Sequence, residues 1–145
     1  MKKIMMMLGM VFTLSTAFAF TGEEAVNKQA LKSFQTEFPN ATDATWTVGS
    51  NYYKVDFTMN DQKLFAFYGS EGEFMAVTRY ISSIQLPLNL QGSLKKSYSH
   101  YWISDLFEMA SNDGTGYYVT LENADTKIIL KSTIGNEWNV FEKCK

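Results

Sequence analysis

The fold of this 145-residue chain is decided by the stretch from Tyr52 to Tyr80, which reads YYKVDFTMNDQKLFAFYGSEGEFMAVTRY. Three short runs rich in aromatic and β-branched residues are separated by two turn signals, Asn60-Asp61 and the GSEG sequence at 69–72. Short apolar runs bounded by Gly, Asn, Asp and Ser are typical of strands joined by tight turns. The stretch therefore predicts three antiparallel strands in succession.

The same layout returns in the second half of the chain. Tyr53 matches Tyr117 at an offset of 64 residues, whereas the helix position Phe34 matches Leu94 at an offset of 60. Because loops tolerate insertions, we place the four-residue difference in the hairpin loop at 111–116, which we expect to be extended. The sequence thus predicts a tandem repeat of one structural unit.

Each copy begins with a predicted amphipathic helix. The first spans Glu23 to Phe38, with Thr21 as N-cap and Pro39 ending it, and the second spans 88–99. A run from 41 to 48 then precedes Tyr52 as the first strand of the first copy. The apolar stripe of the first helix consists of Val26, Ala30, Leu31, Phe34 and Phe38.

We predict an α+β fold, a tandem αββββ-αββββ repeat with the helices on one side of the antiparallel sheet. Residues 20–145 should form a single domain of two repeats, about 23–82 and 86–145, since a chain of this length with 46% hydrophobic residues can bury one sizeable core. Both alternating positions of the central strands carry apolar side chains. The second face is therefore either covered by the other repeat or left as an aromatic surface. The length of the turn at Asn60, two or three residues, leaves the register open.

The first 19 residues have the features of a cleaved secretory signal. Lys2 and Lys3 precede an apolar run from Ile4 to Phe18, and Ala17-Phe18-Ala19 is a small-x-small cleavage pattern. We expect an exported chain, periplasmic or secreted, without a stable membrane span after cleavage. The single cysteine, Cys144, excludes an intrachain disulfide and is expected to be an exposed free thiol.

Charge and motif content exclude several classes of function. With 13 basic and 15 acidic residues, the chain carries a formal charge of −2, which argues against nucleic acid as a partner. His100 is the only histidine, and the chain has no CxxC pair and no glycine-rich phosphate loop, so we expect no metal, cofactor or catalytic residue.

The helix ending Glu37-Phe38-Pro39-Asn40-Ala41, followed by a Trp-containing strand and Tyr53-Lys54-Val55-Asp56-Phe57, resembles the PepSY-like family of secreted bacterial proteins. This family is related in fold to the β-lactamase inhibitory protein. The resemblance implies an open sheet face that binds an enzyme, and a hairpin loop whose acidic residue enters the active site. Asp113 in the 111–116 loop is the position most similar to that residue, and the turn at 49–51 is a second candidate.

The repeat, the aromatic residues and the resemblance together favour a non-catalytic module that binds a protein or peptide partner outside the cytoplasm, including an inhibitor or regulator of a peptidase-type or β-lactamase-type hydrolase. The alternatives are a small-ligand carrier or a hydrolase with a site between the repeats, or a structural protein of the envelope. Aromatic residues next to turns are the candidate contacts, because tyrosine and tryptophan are enriched at interfaces. The candidate partner-binding residues are Trp46, Tyr52, Tyr53, Tyr68, Asp113, Tyr117 and Tyr118.

Overall fold

The computed structural model describes residues 20–133 and 137–144. The predicted signal peptide at 1–19 lies outside the described residues. The chain divides into two compact units. Unit 1 contains the residues up to Asn60 and Phe65–Met75, and unit 2 contains Asp61–Leu64 and the residues from Ala76 onward.

The secondary structure is α+β with antiparallel strand pairs, and within 20–133 and 137–144 it comprises two α-helices and nine strands. Neither helix of this part of the chain is long and apolar enough to cross a membrane. The helices are α1 (Lys28–Glu37) and α2 (Leu88–Ser97). The strands are β1 (Phe20–Thr21), β2 (Thr42–Val48), β3 (Tyr52–Met59), β4 (Gln62–Gly69), β5 (Phe74–Tyr80), β6 (Trp102–Ser111), β7 (Gly114–Glu122), β8 (Lys127–Ser132) and β9 (Asn139–Cys144).

The start of the first helix differs from the prediction. Glu23–Ala25 form a separate 3₁₀ turn, and Thr21 lies in the short strand β1, so it is not the N-cap. The N-cap is Asn27, whose side-chain oxygen accepts a hydrogen bond of 2.7 Å from the Gln29 N–H. The Asn27 side chain satisfies one of the free N–H groups at the helix start, which fixes the helix origin here.

The core of unit 1 is aromatic and lies between α1 and one face of the strands. The Phe34 ring packs edge-on against Trp46 at 5.5 Å and against Phe57 at 5.0 Å between ring centroids. Phe38 is 4.8 Å from Phe57, and Trp46 is 5.8 Å from Tyr68. Rings at these distances and angles bury large apolar areas in favourable geometry, and together they hold α1 on the sheet.

A glycine allows the turn before β5 to approach α1. Gly72 has φ +89°, and a Cβ there would lie 2.6 Å from the backbone nitrogen of Ala30. The Ser33 hydroxyl donates a 3.0 Å hydrogen bond to the Gly72 carbonyl, and the Asn27 side-chain amide donates to the Ser70 carbonyl at 3.2 Å. Residue 72 must therefore be glycine for both conformational and steric reasons.

Unit 2 has an aliphatic core. Residues 76–80 of β5 pair with β6, and β6, β7, β8 and β9 then pair antiparallel in chain order. The Trp138 indole N–H donates a 3.0 Å hydrogen bond to the Leu90 carbonyl of α2. The buried cluster that joins α2 to the strands is formed by Ile81, Leu86, Leu90, Leu94, Leu106, Val119, Leu121, Ile128 and Leu130.

The β6–β7 hairpin does not have the extended loop that the sequence analysis predicted at 111–116. Ser111 and Gly114 are directly paired, so the turn consists of Asn112 and Asp113 alone. The additional residues lengthen the strands, since β6 has 10 residues and β2 has 7. Ser111 and Gly114 continue the antiparallel ladder, and Gly114 follows the turn with φ +118°.

The turn between β3 and β4 settles the register that the sequence left open. It contains two residues, Asn60 and Asp61, with φ +52° and +60°. Positive φ at both central residues is the geometry of a two-residue hairpin turn whose twist matches that of the strands. Odd-numbered residues of β3 therefore share a face with even-numbered residues of β4.

This geometry predicts that two substitutions at Asp61 differ in their effect on the free energy of unfolding. Asp61→Gly should be more stable than Asp61→Ala by about 1 kcal/mol, because a Cβ is unfavourable in the left-handed region. The free energy of unfolding is measured by urea denaturation. Equal stability of the two variants, or a more stable Ala variant, would contradict the two-residue turn and the faces assigned from it.

Candidate partner-binding faces

One face of the strands in unit 1 points away from α1. Val55 and Phe57 are buried on the α1 side, so the alternating residues between them lie on the opposite side. The same alternation applies to β4, where Ala66 and Tyr68 are buried. We call this surface the second face of unit 1, and it is formed by Tyr52, Lys54, Asp56, Phe65 and Phe67.

Charged and aromatic groups are matched within the second face of unit 1. The Lys54 ammonium is 2.9 Å from the Asp56 carboxylate and 4.7 Å from the centroid of the Phe65 ring. The Tyr52 and Phe67 rings are 6.2 Å apart. A cation in this position is stabilised both by the carboxylate charge and by the face of the aromatic ring. This face is therefore half-buried, aromatic and locally neutral.

The strand register defines a corresponding face in unit 2. Tyr80 lies opposite Phe107, Phe107 opposite Tyr118, and Tyr118 opposite Lys131. These residues alternate with Leu106, Val119 and Leu130 of the α2 core, so their side chains point away from α2. Two further rows of cross-strand partners lie on the same face, one beginning at Asp105 and one at Trp102. The second face of unit 2 is formed by Tyr80, Trp102, Asp105, Phe107, Met109, Tyr118, Thr120, Glu122, Lys127, Ile129, Lys131, Phe141 and Glu142.

The centre of this face is a layer of packed rings. Phe107 and Tyr118 are stacked with centroids 5.1 Å apart and ring planes at 10°, and Phe141 meets Tyr118 edge-on at 5.9 Å. The Lys131 ammonium lies 5.4 Å from the Tyr118 centroid. Tyr80 and Trp102 differ from this layer because they are 65% and 55% exposed. The face thus combines a buried aromatic floor with two exposed aromatic rings.

Three of the predicted contact residues are not available to a partner. Trp46 is 2% exposed, and Tyr68 and Tyr118 are fully buried. Trp46 and Tyr68 pack in the α1 core, while Tyr118 is covered by its ring neighbours on the second face. Proximity to a turn in sequence did not distinguish core from surface, and the burial of these three side chains prevents direct contact with a partner.

The other four predicted residues lie in three different places. Tyr52 is half-buried on the second face of unit 1, while Tyr53 lies on the α1 side opposite Val48. Tyr117 packs against the α2 core, where burial and the Glu108 carboxylate raise the pKa of its hydroxyl. Asp113 is exposed in the two-residue β6–β7 turn. The structure therefore does not bring the predicted set together into one surface.

The sequence analysis missed the residues that define the second faces. Phe65, Phe67, Phe107 and Trp102 were not among the candidates, although strand alternation was the signal that could have identified them. Using this signal requires the strand register, which the turn at Asn60 sets for β3 and β4 and the turn at Asn112-Asp113 sets for β6 and β7. The turn length was the missing information.

Groups that could support metal or catalytic chemistry are dispersed. In the described ranges, no cluster of three or more His, Cys, Asp or Glu side chains could hold a metal ion. His100 is exposed at the end of α2, and Cys144 is an exposed free thiol. The sequence-based expectation for Cys144 is confirmed.

The fold is similar to that of several solved proteins from Bacteroides. A BLIP-like protein from Bacteroides fragilis superposes with a TM-score of 0.70 at 17% identity, covering 81% of this chain and 84% of that one. A DUF2874 family protein from Bacteroides ovatus gives 0.71 at 13% identity, covering 81% and 85%. A Bacteroides eggerthii protein provisionally assigned to the periplasm gives 0.70 at 14%, covering 82% and 88%. No protein-family model matches the sequence, and no curated protein is significantly similar to it.

A buried hydroxyl on the second face of unit 2 predicts an unusual mutational result. The Tyr118 hydroxyl has no hydrogen-bond partner among the described residues. The Tyr101 hydroxyl, in contrast, lies 3.2 Å from the Thr126 hydroxyl. Tyr118→Phe should leave stability unchanged or raise it by about 1 kcal/mol, whereas Tyr101→Phe should lower it by about 0.5–1.5 kcal/mol. Urea denaturation of both variants at neutral pH checks this.

The same hydroxyl predicts the dependence of stability on pH. Burial raises the pKa of Tyr118 above its ordinary value of 10.0. The contribution of this neutral hydroxyl to the free energy of unfolding is fully present below the pKa of an unfolded tyrosine. It is lost as the pH rises through the raised pKa of the folded state. Tyr118→Phe should therefore lose less stability above about pH 10 than the wild type. Parallel alkaline curves for the two proteins would contradict the burial of this hydroxyl.

Proposed function

We propose that this chain is an exported, non-catalytic module that binds a protein or peptide partner outside the cytoplasm through the second faces of its units. The observation that carries the proposal is the exposure of Tyr80 and Trp102 on a strand face that points away from α2. The same proposal includes a tandem αββββ repeat, a cleaved signal peptide at 1–19 and membership of the PepSY-like group. The expected location is the periplasm or the exterior of the cell.

The composition of these faces supports protein binding. Large aromatic rings contribute much of the binding energy at interfaces, because they bury a large area and lose little conformational entropy. Phe107 and Met109 on the same face are buried, so the aromatic area that this face offers to a partner comes from the exposed rings of Tyr80 and Trp102. A partner that covers these two rings would remove them from water.

The finer part of the proposal is regulation or inhibition of an extracytoplasmic hydrolase of the peptidase or β-lactamase type. Its support is the likeness in fold to the BLIP-like protein of Bacteroides fragilis. Asp113, an exposed carboxylate at the tip of the β6–β7 hairpin, is the proposed residue that enters the hydrolase active site.

The proposal is tested by affinity capture. The purified protein is immobilised and exposed to the secreted and envelope fractions of the source bacterium, and bound proteins are identified by mass spectrometry. We expect one protein in near-stoichiometric amount, with a yield that falls at least about tenfold for Trp102→Ala or Tyr80→Ala, the loss typical of a central aromatic contact. The captured protein is then assayed for hydrolase activity with and without the module.

Leu88→Ala provides the matched control, because Leu88 is also an exposed apolar residue but lies at the start of α2. Its capture yield should equal that of the wild type. An equal loss for Leu88→Ala, or no loss for either aromatic variant, would show that the second face of unit 2 is not the binding surface.

A further inference from the structure

The geometry points to a partner segment that places a Lys or Arg side chain against Asp105 and flanking apolar side chains against Trp102 and Tyr80. This inference rests on the proposed function and adds the chemistry of the partner. It concerns the second face of unit 2 alone. Its basis is the difference in charge pairing between the two second faces.

Asp105 lies at one end of a row of four residues that crosses this face. It lies opposite Thr120 on β7, which lies opposite Ile129 on β8, which lies opposite Glu142 on β9. The row has an acidic residue at each end, and the two residues between them, Thr120 and Ile129, are buried. With strands about 4.8 Å apart, the two acidic positions are separated by about 14 Å.

The cations on this face are engaged elsewhere. The Lys127 ammonium is 3.4 Å from the Glu122 carboxylate, and the Lys131 ammonium lies over the Tyr118 ring. Within the described part of the chain, Asp105 forms no ion pair. Burial raises the pKa of its carboxyl, and the Leu106 N–H and the charge of Lys127 oppose that shift. A half-buried carboxylate without a cationic partner is a favourable site for an incoming cation.

Unit 1 provides an internal comparison. Its second face also carries a cross-strand pair of a threonine and an aspartate, Thr45 opposite Asp56. There, Lys54 lies 2.9 Å from the aspartate and supplies the cation from the same strand. Unit 2 has the same pair with the aspartate on the other strand, Asp105 of β6 opposite Thr120 of β7, and among the described residues no lysine forms an ion pair with Asp105. The proposed cation therefore belongs to the partner.

The exposed rings determine what accompanies that cation. Trp102 lies opposite Glu122 in the row beside Asp105, and Tyr80 lies opposite Phe107 in the row on the other side. Asp105 is thus bracketed by two exposed aromatic side chains. A basic residue with aromatic or aliphatic neighbours fits this arrangement, because its methylene stem and its neighbours can pack on the rings while its charge reaches Asp105.

The inference is tested with short random peptides displayed on phage and selected on the immobilised protein. Enriched peptides are synthesised, and their Kd values are measured by fluorescence anisotropy for the wild type, Asp105→Asn, Trp102→Ala and Glu71→Gln. We expect enrichment of Lys or Arg beside apolar residues, and an increase in Kd of about tenfold or more for Asp105→Asn and for Trp102→Ala. Glu71, an exposed acidic residue in a turn of unit 1, controls for the change in net charge, and its variant should stay within about twofold of the wild type.

Salt dependence provides a second measurement that needs no variant, since binding of the selected peptides to the wild type should weaken as ionic strength rises. Failure to enrich peptides, peptides without basic residues, or equal Kd values for the wild type and Asp105→Asn would overturn the inference. An envelope partner whose capture falls with Trp102→Ala but not with Asp105→Asn would also overturn it, while leaving the proposed function intact. A captured partner that is insensitive to both substitutions would contradict both proposals.

Discussion

The packing of one helix on one face of its strands is the constraint on which the rest of each unit depends. In unit 1, Phe34 contacts Trp46 and Phe57, and in unit 2, α2 buries Leu90 and Leu94 in an aliphatic cluster. Because side chains alternate along a strand, residues between these core positions must point to the opposite face. Once the helix side is fixed, the second face is determined residue by residue.

The two second faces share their architecture but differ in charge. Both place a lysine ammonium near an aromatic ring, at 4.7 Å in unit 1 and 5.4 Å in unit 2. In unit 1 that lysine also neutralises Asp56, whereas in unit 2 Asp105 has no ion-pair partner among the described residues. A neutral aromatic surface and an acidic aromatic surface favour different ligands. In our proposal, this difference makes the second face of unit 2 the one that selects a basic partner segment.

The sequence predicted most of the elements but little of the site. Apolar spacing identified both helices, and turn residues such as Asn60-Asp61 identified the hairpins, because these signals are local. The cap at Asn27 and the tight turn at Asn112-Asp113 were missed, since neighbouring residues of similar propensity compete for these roles. The buried positions of Tyr68 and Tyr118 required the strand register, which depends on the lengths of two turns, Asn60-Asp61 for Tyr68 and Asn112-Asp113 for Tyr118. Tyrosine composition indicated an interface but did not locate it.

The central claim, that a partner binds the second face of unit 2, is tested most directly by site-specific photo-crosslinking in the source bacterium. A photoreactive phenylalanine analogue replaces Tyr80 on that face or, separately, Leu88 at the start of α2, both of which are exposed. Illumination should yield a discrete crosslink to an envelope or secreted protein from position 80 and none from position 88. A crosslink from position 88 alone, or identical products from both positions, would contradict the assignment of this face.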